Sequence, residues 1–165
     1  MDEGVTAMDT TSSTTTTAAT TIRRTAVWPR GVPAVGQAAE RSRTIGPNDI
    51  DTFAAISGDR NPLHYDAEFA ASTKLGGIVV QSGLITAIIN GAAAEGVPGP
   101  GSVFMNTNLD FKAPVRPGDT ITGRVEVLEV REDKPIMKIR ATVTRQDGVV
   151  SVDGTCVSYT FPMPS

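Results

Sequence analysis

The chain has 165 residues, 39% of them hydrophobic and 20% charged, which allows one domain with a real core and leaves too little for two. Its formal net charge of −3 excludes a general electrostatic attraction to nucleic acid or to an anionic membrane. A single cysteine excludes an internal disulfide, and a single histidine with no cysteine cluster beside it argues against zinc. No apolar run approaches the roughly 18 residues that a membrane span needs, so no membrane association is expected and the chain reads as cytoplasmic.

The first segment is low in complexity, with Thr, Ser and Ala filling residues 10–21 and no periodic apolar face. Such a segment cannot bury enough surface to offset its ordering entropy. Residues 1–33 are therefore expected to form a disordered tail, and residues 34–165 the folded domain. Arg23-Arg24 has the form of a twin-arginine export signal, but the following TAVWPRGVP lacks the apolar stretch that signal requires. Trp28 is a large apolar group whose docking the sequence leaves open.

GQAAERSRTI fits a short edge strand. GPNDIDTFAAIS then carries the punctuation of a helix: Pro47 in the first turn, Asp49 and Asp51 early, and Gly58 just past the end. Ile50, Phe53, Ala54 and Ser57 share one narrow face. A second short helix is predicted after Asp66, a good N-cap, and ends at KLGG. SGLITAIINGAAAEG is apolar on nearly all sides, through Leu84, Ile85, Ala87, Ile88, Ile89, Ala92 and Ala93, and carries no carboxylate before Glu95. A helix of that kind, too short to span a bilayer, belongs at the centre of a core.

The remainder reads as strands: SVFMNTNLDFKAPV, DTITGRVEVLEVRE, KPIMKIRATVTRQ and VVSVDGTCVSYTF, separated by Pro-Gly-Asp, Glu-Asp-Lys and Asp-Gly turn signals. Cys156 lies in the last of them and reads as a small buried hydrophobe. These strands in meander order, together with the early edge strand, predict an antiparallel sheet. Curving that sheet around the apolar helix buries both, which makes the fold class α+β.

The chemistry concentrates in SGDRNPLH, residues 57–64, which holds the only histidine of the chain. Gly58 frees the chain to turn, Asn61 before Pro62 is biased to extended geometry, and Pro62 stiffens the path to His64. One reading is a turn in which Asp59 caps the backbone and His64 is a satisfied structural residue. The other is an acid/base pair in a rigid loop, since a carboxylate and an imidazole can together take a proton from water and return one. The residues by themselves leave both open.

The segment resembles the hydratase signature of the MaoC-like (R)-specific enoyl-CoA hydratases. That signature is approximately an aromatic, a short spacer, an aliphatic residue or Gly, one of Ser, Thr, Gly or Cys, then Gly-Asp-x-Asn-Pro-aliphatic-His, five residues and Ala or Ser. Phe53, Ile56, Ser57, Gly58, Asp59, Asn61, Pro62, Leu63, His64 and Ala70 match it throughout. LDFKAPVRPGDTI, residues 109–121, also looks like this family. The resemblance covers about residues 36–161 and implies a single hot-dog fold with a reversible activity, hydration of trans-2-enoyl-CoA to (3R)-3-hydroxyacyl-CoA.

Residue by residue, the resemblance implies that Asp59 and His64 activate the water, with Asp59 as general base, and that Asn61 orients the loop. It implies that the backbone N–H of Gly83 stabilises charge on the thioester oxygen. Ser82 stands where many relatives carry His, and is expected to cap the helix or line the pocket. No metal or organic cofactor is implied, coenzyme A being part of the substrate, and acyl-carrier-protein thioesters are an alternative carrier. Arg60, Lys74, Lys112 and Arg116 are available to coenzyme phosphates, but none is assigned. A homodimer or higher even oligomer is implied. The rival readings are a hot-dog thioesterase and a non-catalytic acyl-CoA-binding protein.

Overall fold

The computed structural model describes Trp28 and residues 31–162. In chain order the elements are β1 (Ala38–Thr44), α1 (Pro47–Ser57), a 3-10 turn (Pro62–His64), α2 (Ala67–Ser72) and α3 (Ser82–Glu95), followed by β2 (Ser102–Phe111), β3 (Thr120–Val130), β4 (Ile136–Arg145) and β5 (Val150–Thr160). Each helix and strand expected from the sequence is present. None of the described helices is long and apolar enough to cross a membrane.

The five strands form one antiparallel sheet in the order β1-β3-β4-β5-β2. The expected meander holds for β3, β4 and β5, but β2 pairs with β5 at the far edge instead of with β3. The cause is the connection over residues 112–119. Pro114 and Pro117 make it unsuited to a tight hairpin, and it runs back past the core, where the Val115 carbonyl accepts the Val80 N–H at 2.8 Å. Periodicity identifies strands; it does not name their neighbours.

α3 lies in the concave side of this sheet, with Ile85, Ile88, Ile89, Ala92 and Ala93 buried. They meet Val125, Val127, Ile139, Ala141, Val143, Val152 and Cys156 in one continuous core, where each large aliphatic side chain contributes about 1.5–3 kcal/mol. Contact is close because β3 is bare where the helix crosses it: a Cβ on Gly123 would stand 2.6 Å from Ile88 Cγ2. The all-round apolar character expected of α3 meets one correction. Ala87 remains exposed and Leu84 half-buried, because the sheet covers one side and α1 only part of the other.

α1 starts where the sequence placed it. The Asp49 carboxylate accepts the Gly46 N–H at 2.9 Å and pairs with Arg43; that hydrogen bond from Arg43, with the one from Gly46, holds the Asp49 pKa below the usual carboxylate value. At the other end Gly58 takes the left-handed conformation at φ 77°. Its N–H donates to the Ala54 carbonyl at 2.9 Å. Ile50 and Ala54 are buried and Ser57 is exposed, so the packing face of α1 is narrower than its spacing suggested. Asp66 caps α2 as expected, accepting the Phe69 N–H at 2.9 Å.

Trp28 is 3% exposed and belongs to the core. The folded body therefore takes in this residue, which lies on the tail side of the boundary drawn at residue 33 from composition. The other residues of 1–30, Arg23-Arg24 included, lie outside the described residues.

β5 carries one further constraint. A Cβ on Gly154 would stand 2.1 Å from the Asn108 carbonyl oxygen and 2.9 Å from Leu109 Cα, so β2 crosses β5 here at a distance that only glycine permits. The end of β2 leads directly into the cleft described below. Gly154→Ala is expected to destabilise the fold by about 2 kcal/mol, in the range for an overpacked core, read as a lowered urea midpoint; an unchanged midpoint would contradict this close approach.

Candidate active site

The loop from α1 to the 3-10 turn is built by side chains that each hold a backbone N–H two residues ahead. Ser57 Oγ accepts from Asp59 N at 3.1 Å, Asp59 Oδ1 from Asn61 N at 3.2 Å, and Asn61 Oδ1 from Leu63 N at 3.0 Å. Ser57 Oγ in turn donates to the Phe53 carbonyl at 2.7 Å, which roots the series in α1. Short polar side chains are suited to this because they reach their own backbone two residues on. The turn reading of Asp59 is therefore correct for one of its two oxygens.

The other oxygen faces the histidine. Asp59 Oδ2 lies 3.6 Å from His64 Nε2, with the Asp59 side chain 40% exposed and that of His64 only 9%. His64 Nδ1 is 2.7 Å from the Val79 carbonyl oxygen. A carbonyl only accepts, so Nδ1 carries the proton, and in the neutral ring Nε2 presents a lone pair toward Asp59. Two acceptors then converge at a spacing that one water can bridge, donating an O–H to each at about 2.8 Å.

Val79 is held in its own right. Its N–H donates to the Leu63 carbonyl at 3.2 Å, and the next N–H, of Val80, to the Val115 carbonyl. Arg116 secures the approach to it, its guanidinium donating to the carbonyls of Ile78 at 3.1 Å and Leu75 at 2.5 Å. That arginine is thus consumed by the backbone. Lys112 pairs with Asp110 at 2.8 Å.

Asp59, Asn61, His64 and Ser82 line one open cleft of about 490 Å³, together with Phe111 at the end of β2 and Pro114 just after it. Gly83 follows Ser82 in the first turn of α3, and a Cβ there would stand 2.4 Å from Phe53 Cζ. The aromatic of the loop signature thus presses on the glycine that begins the central helix. No side chain caps this helix, so its first N–H groups retain the free hydrogens and positive end of the helix dipole. Ser82 is exposed and lines the cleft instead of capping. Four of the five residues expected at the site, Asp59, Asn61, His64 and Ser82, thus line one cleft; Gly83 is not among its lining residues and enters only as the next residue in the first turn of α3. A second cleft of about 300 Å³, between β1, α1 and α3, is lined by Phe53, Ile56, Leu84 and Ala87 and does not reach Asp59 or His64.

Cys156 is fully buried, and burial pushes its thiol up to about 11, which keeps it protonated and unreactive near neutrality. Sequence reasoning missed Val79, the cleft wall at Phe111 to Pro114, and the bonding of Arg116 to backbone carbonyls, since it set Arg116 only among the cations available to phosphates. Val79 and the wall act through backbone and shape and leave little trace in residue type. Arg116 resembles any surface cation until its acceptors are known.

An antiparallel sheet wrapped on an apolar helix, with an Asp–His pair at the helix N-terminus, defines a hot-dog protein with the outline of an active site. The family model described as "MaoC like domain" matches residues 32–149, and the chain belongs to this MaoC-like family. It is 40% identical over 123 residues to the (R)-specific enoyl-CoA hydratase of Aeromonas caviae, covering 74% of this chain and 92% of that one. It is 38% identical over 121 residues to the 3-hydroxybutyryl-CoA dehydratase of Methylorubrum extorquens, covering 73% and 76%. The solved structure of the (R)-hydratase from A. caviae superposes with a TM-score of 0.74 at 38% identity, over 78% of this chain and 98% of that one. The chain is an enzyme of this hydratase and dehydratase family.

Because His64 is the only histidine, its tautomer is directly measurable. In 15N NMR of the neutral ring, Nδ1 should carry the proton and Nε2 should appear as the unprotonated nitrogen; the opposite assignment would contradict the bond to Val79.

Proposed function

We propose that this protein adds water to the trans-2-enoyl thioester of coenzyme A, giving the (3R)-3-hydroxyacyl thioester, and runs the reverse dehydration. The observation that carries this is the convergence of Asp59 Oδ2 and His64 Nε2 at 3.6 Å, with the other ring nitrogen committed to Val79. A water held between them is oriented and made nucleophilic. As its oxygen bonds to C3, Asp59 accepts a proton and the alkene electrons move to the thioester oxygen. The Gly83 N–H stabilises the resulting enolate. The enolate then collapses, and the proton held by the Asp59–His64 pair is returned to C2, so one water has been added across the double bond.

Asn61 works through Asp59. Its backbone N–H holds Oδ1, which leaves Oδ2 for the water, and its side chain fixes the start of the 3-10 turn carrying His64. Ser82 lies on the cleft wall, where it contacts the substrate. The reaction needs neither metal nor organic cofactor, because the thioester already activates the alkene. Acyl-carrier-protein thioesters present the same reacting atoms. The configuration follows the (R)-specific name of the A. caviae relative.

The thioesterase alternative needs a free carboxylate beside the substrate on α3. Glu95 stands at the far end of that helix and pairs with Arg41, which supports hydration instead.

The cleft opens beside a free sheet edge. β1 blunts one edge of the sheet with Glu40, Arg41 and Arg43, whereas β2, at the other, exposes Val103, Met105 and Phe111. An unprotected edge of this kind pairs with another strand. A second copy joined along β2 is the arrangement that covers it, giving a homodimer, which sedimentation checks: a monomer at micromolar concentration would refute it.

Enoyl absorbance of a short trans-2-enoyl-CoA should fall on adding the protein, without thiol release and with (3R) product. Asp59→Asn and His64→Gln should each lower kcat by about 10³-fold or more, with substrate still bound. Thiol release would establish a thioesterase. Binding without turnover, unchanged in both variants, would establish a non-catalytic acyl-CoA protein.

A further inference from the structure

Gln81, the residue immediately before Ser82, is fully buried. It stands in GGIVVQSGLI as one polar side chain between apolar runs. Burying an amide is costly unless its groups are bonded, and only half of this one is. Nε2 donates to the Ile50 carbonyl of α1 at 3.1 Å, while Oε1 has no partner. The assignment of nitrogen and oxygen follows from this bond, since the reversed amide would place two acceptors together.

Gln81 occupies the N-cap position of α3. A side chain there ordinarily turns back to satisfy the first N–H groups of its own helix. This one reaches away to α1 and leaves those groups uncapped. Its backbone carbonyl still accepts the Ile85 N–H at 3.1 Å, so the residue belongs to the helix start while its amide belongs to the neighbouring helix. α1 is the element from which the Asp59 loop grows, and α3 is the element that begins at Ser82 and Gly83. The two are otherwise joined here by Phe53 against Gly83, a contact that fixes distance but leaves sliding and rotation free. A directional hydrogen bond at Ile50 removes that freedom.

We propose that Gln81 is a positioning residue: its buried amide registers the N-terminal turn of α3 against α1, so that the Gly83 N–H and the Asp59–His64 pair address the same substrate. This rests on the hydratase reading above. Gln81 touches neither water nor thioester; it acts by setting where the enolate donor stands relative to the attacking water. Misplacement of reacting groups by about 1 Å can cost on the order of 10²-fold in rate, and the effect falls on the transition state, in which the oxyanion forms.

The test compares steady-state kinetics of the unaltered protein with Gln81→Met, which keeps the length and loses the donor, and with Gln81→Glu. For Gln81→Met, kcat is expected to fall about tenfold or more while KM stays within about twofold and near-ultraviolet circular dichroism is unchanged. Glutamate at this position donates to the Ile50 carbonyl only when protonated. The kcat of Gln81→Glu relative to the unaltered protein, taken pH by pH, is therefore expected to fall as pH rises from about 6 to 8. A folded Gln81→Met with unaltered kcat overturns the proposal, as does a flat ratio for Gln81→Glu. Failure of both variants to fold overturns it as well, by making Gln81 a residue of stability alone. Absence of hydration by the unaltered protein would instead refute the reading of the reaction.

Discussion

Everything at the site is referred to the place where α3 begins, and that place is set by burial. An apolar helix with Ile85, Ile88 and Ile89 against the sheet cannot slide along its axis without exposing one aliphatic side chain and forcing another into β3 at Gly123. Its first turn is consequently a fixed point. The helix also begins without a side-chain cap, so the same constraint that locks it leaves polar hydrogens free at one known location. In most helices such uncapped groups are covered by a side chain; here they are left bare at a fixed place next to the cleft.

The remaining groups are brought to this point by backbone hydrogen bonds more than by side-chain packing. His64 is oriented from behind by the Val79 carbonyl, and Asp59 from one side by the Asn61 N–H. Each functional side chain thus has one polar atom spent on structure and one left over for chemistry. This division makes a turn and an acid/base pair compatible within one loop. The turn uses Asp59 Oδ1 and the pair uses Oδ2, so the stiffness of the loop and the aim of the carboxylate come from the same bonds. A longer side chain at residue 59 would move the free oxygen away from His64, and one without an acceptor would release the loop.

The elements were legible because their signals are local. Pro47 and Gly58 bracket α1, Asp66 starts α2, and the alternation in β3 and β4 is clear on both faces. The loop holding Asp59, Asn61 and His64 stood out in the sequence because so many fixed residue types at fixed spacing rarely coincide. The neighbour of β2 was not, since Pro114 and Pro117 forbid a tight hairpin without saying where the strand goes. The docking of Trp28 was left open for a related reason: composition averages over a segment, whereas docking depends on one side chain finding a hole. The parts played by Arg116 and Val79 were not legible because they consist of bonding backbone carbonyls or of being one.

Ser82 shows how far a departure from the family pattern can be absorbed. A residue at this position can serve the site by its side chain or by the backbone it shares with Gly83. The Ser82 side chain lines the cleft and caps nothing, while Gly83 is closely approached by Phe53. A backbone hydrogen at Gly83 is insensitive to what residue 82 carries, provided the helix start does not move. The position is therefore free to vary, whereas Gly83 is not: any Cβ there would displace the Phe53 ring of α1, the helix that leads into the Asp59 loop. Invariance of backbone geometry and freedom of the adjacent side chain arise from the same contact.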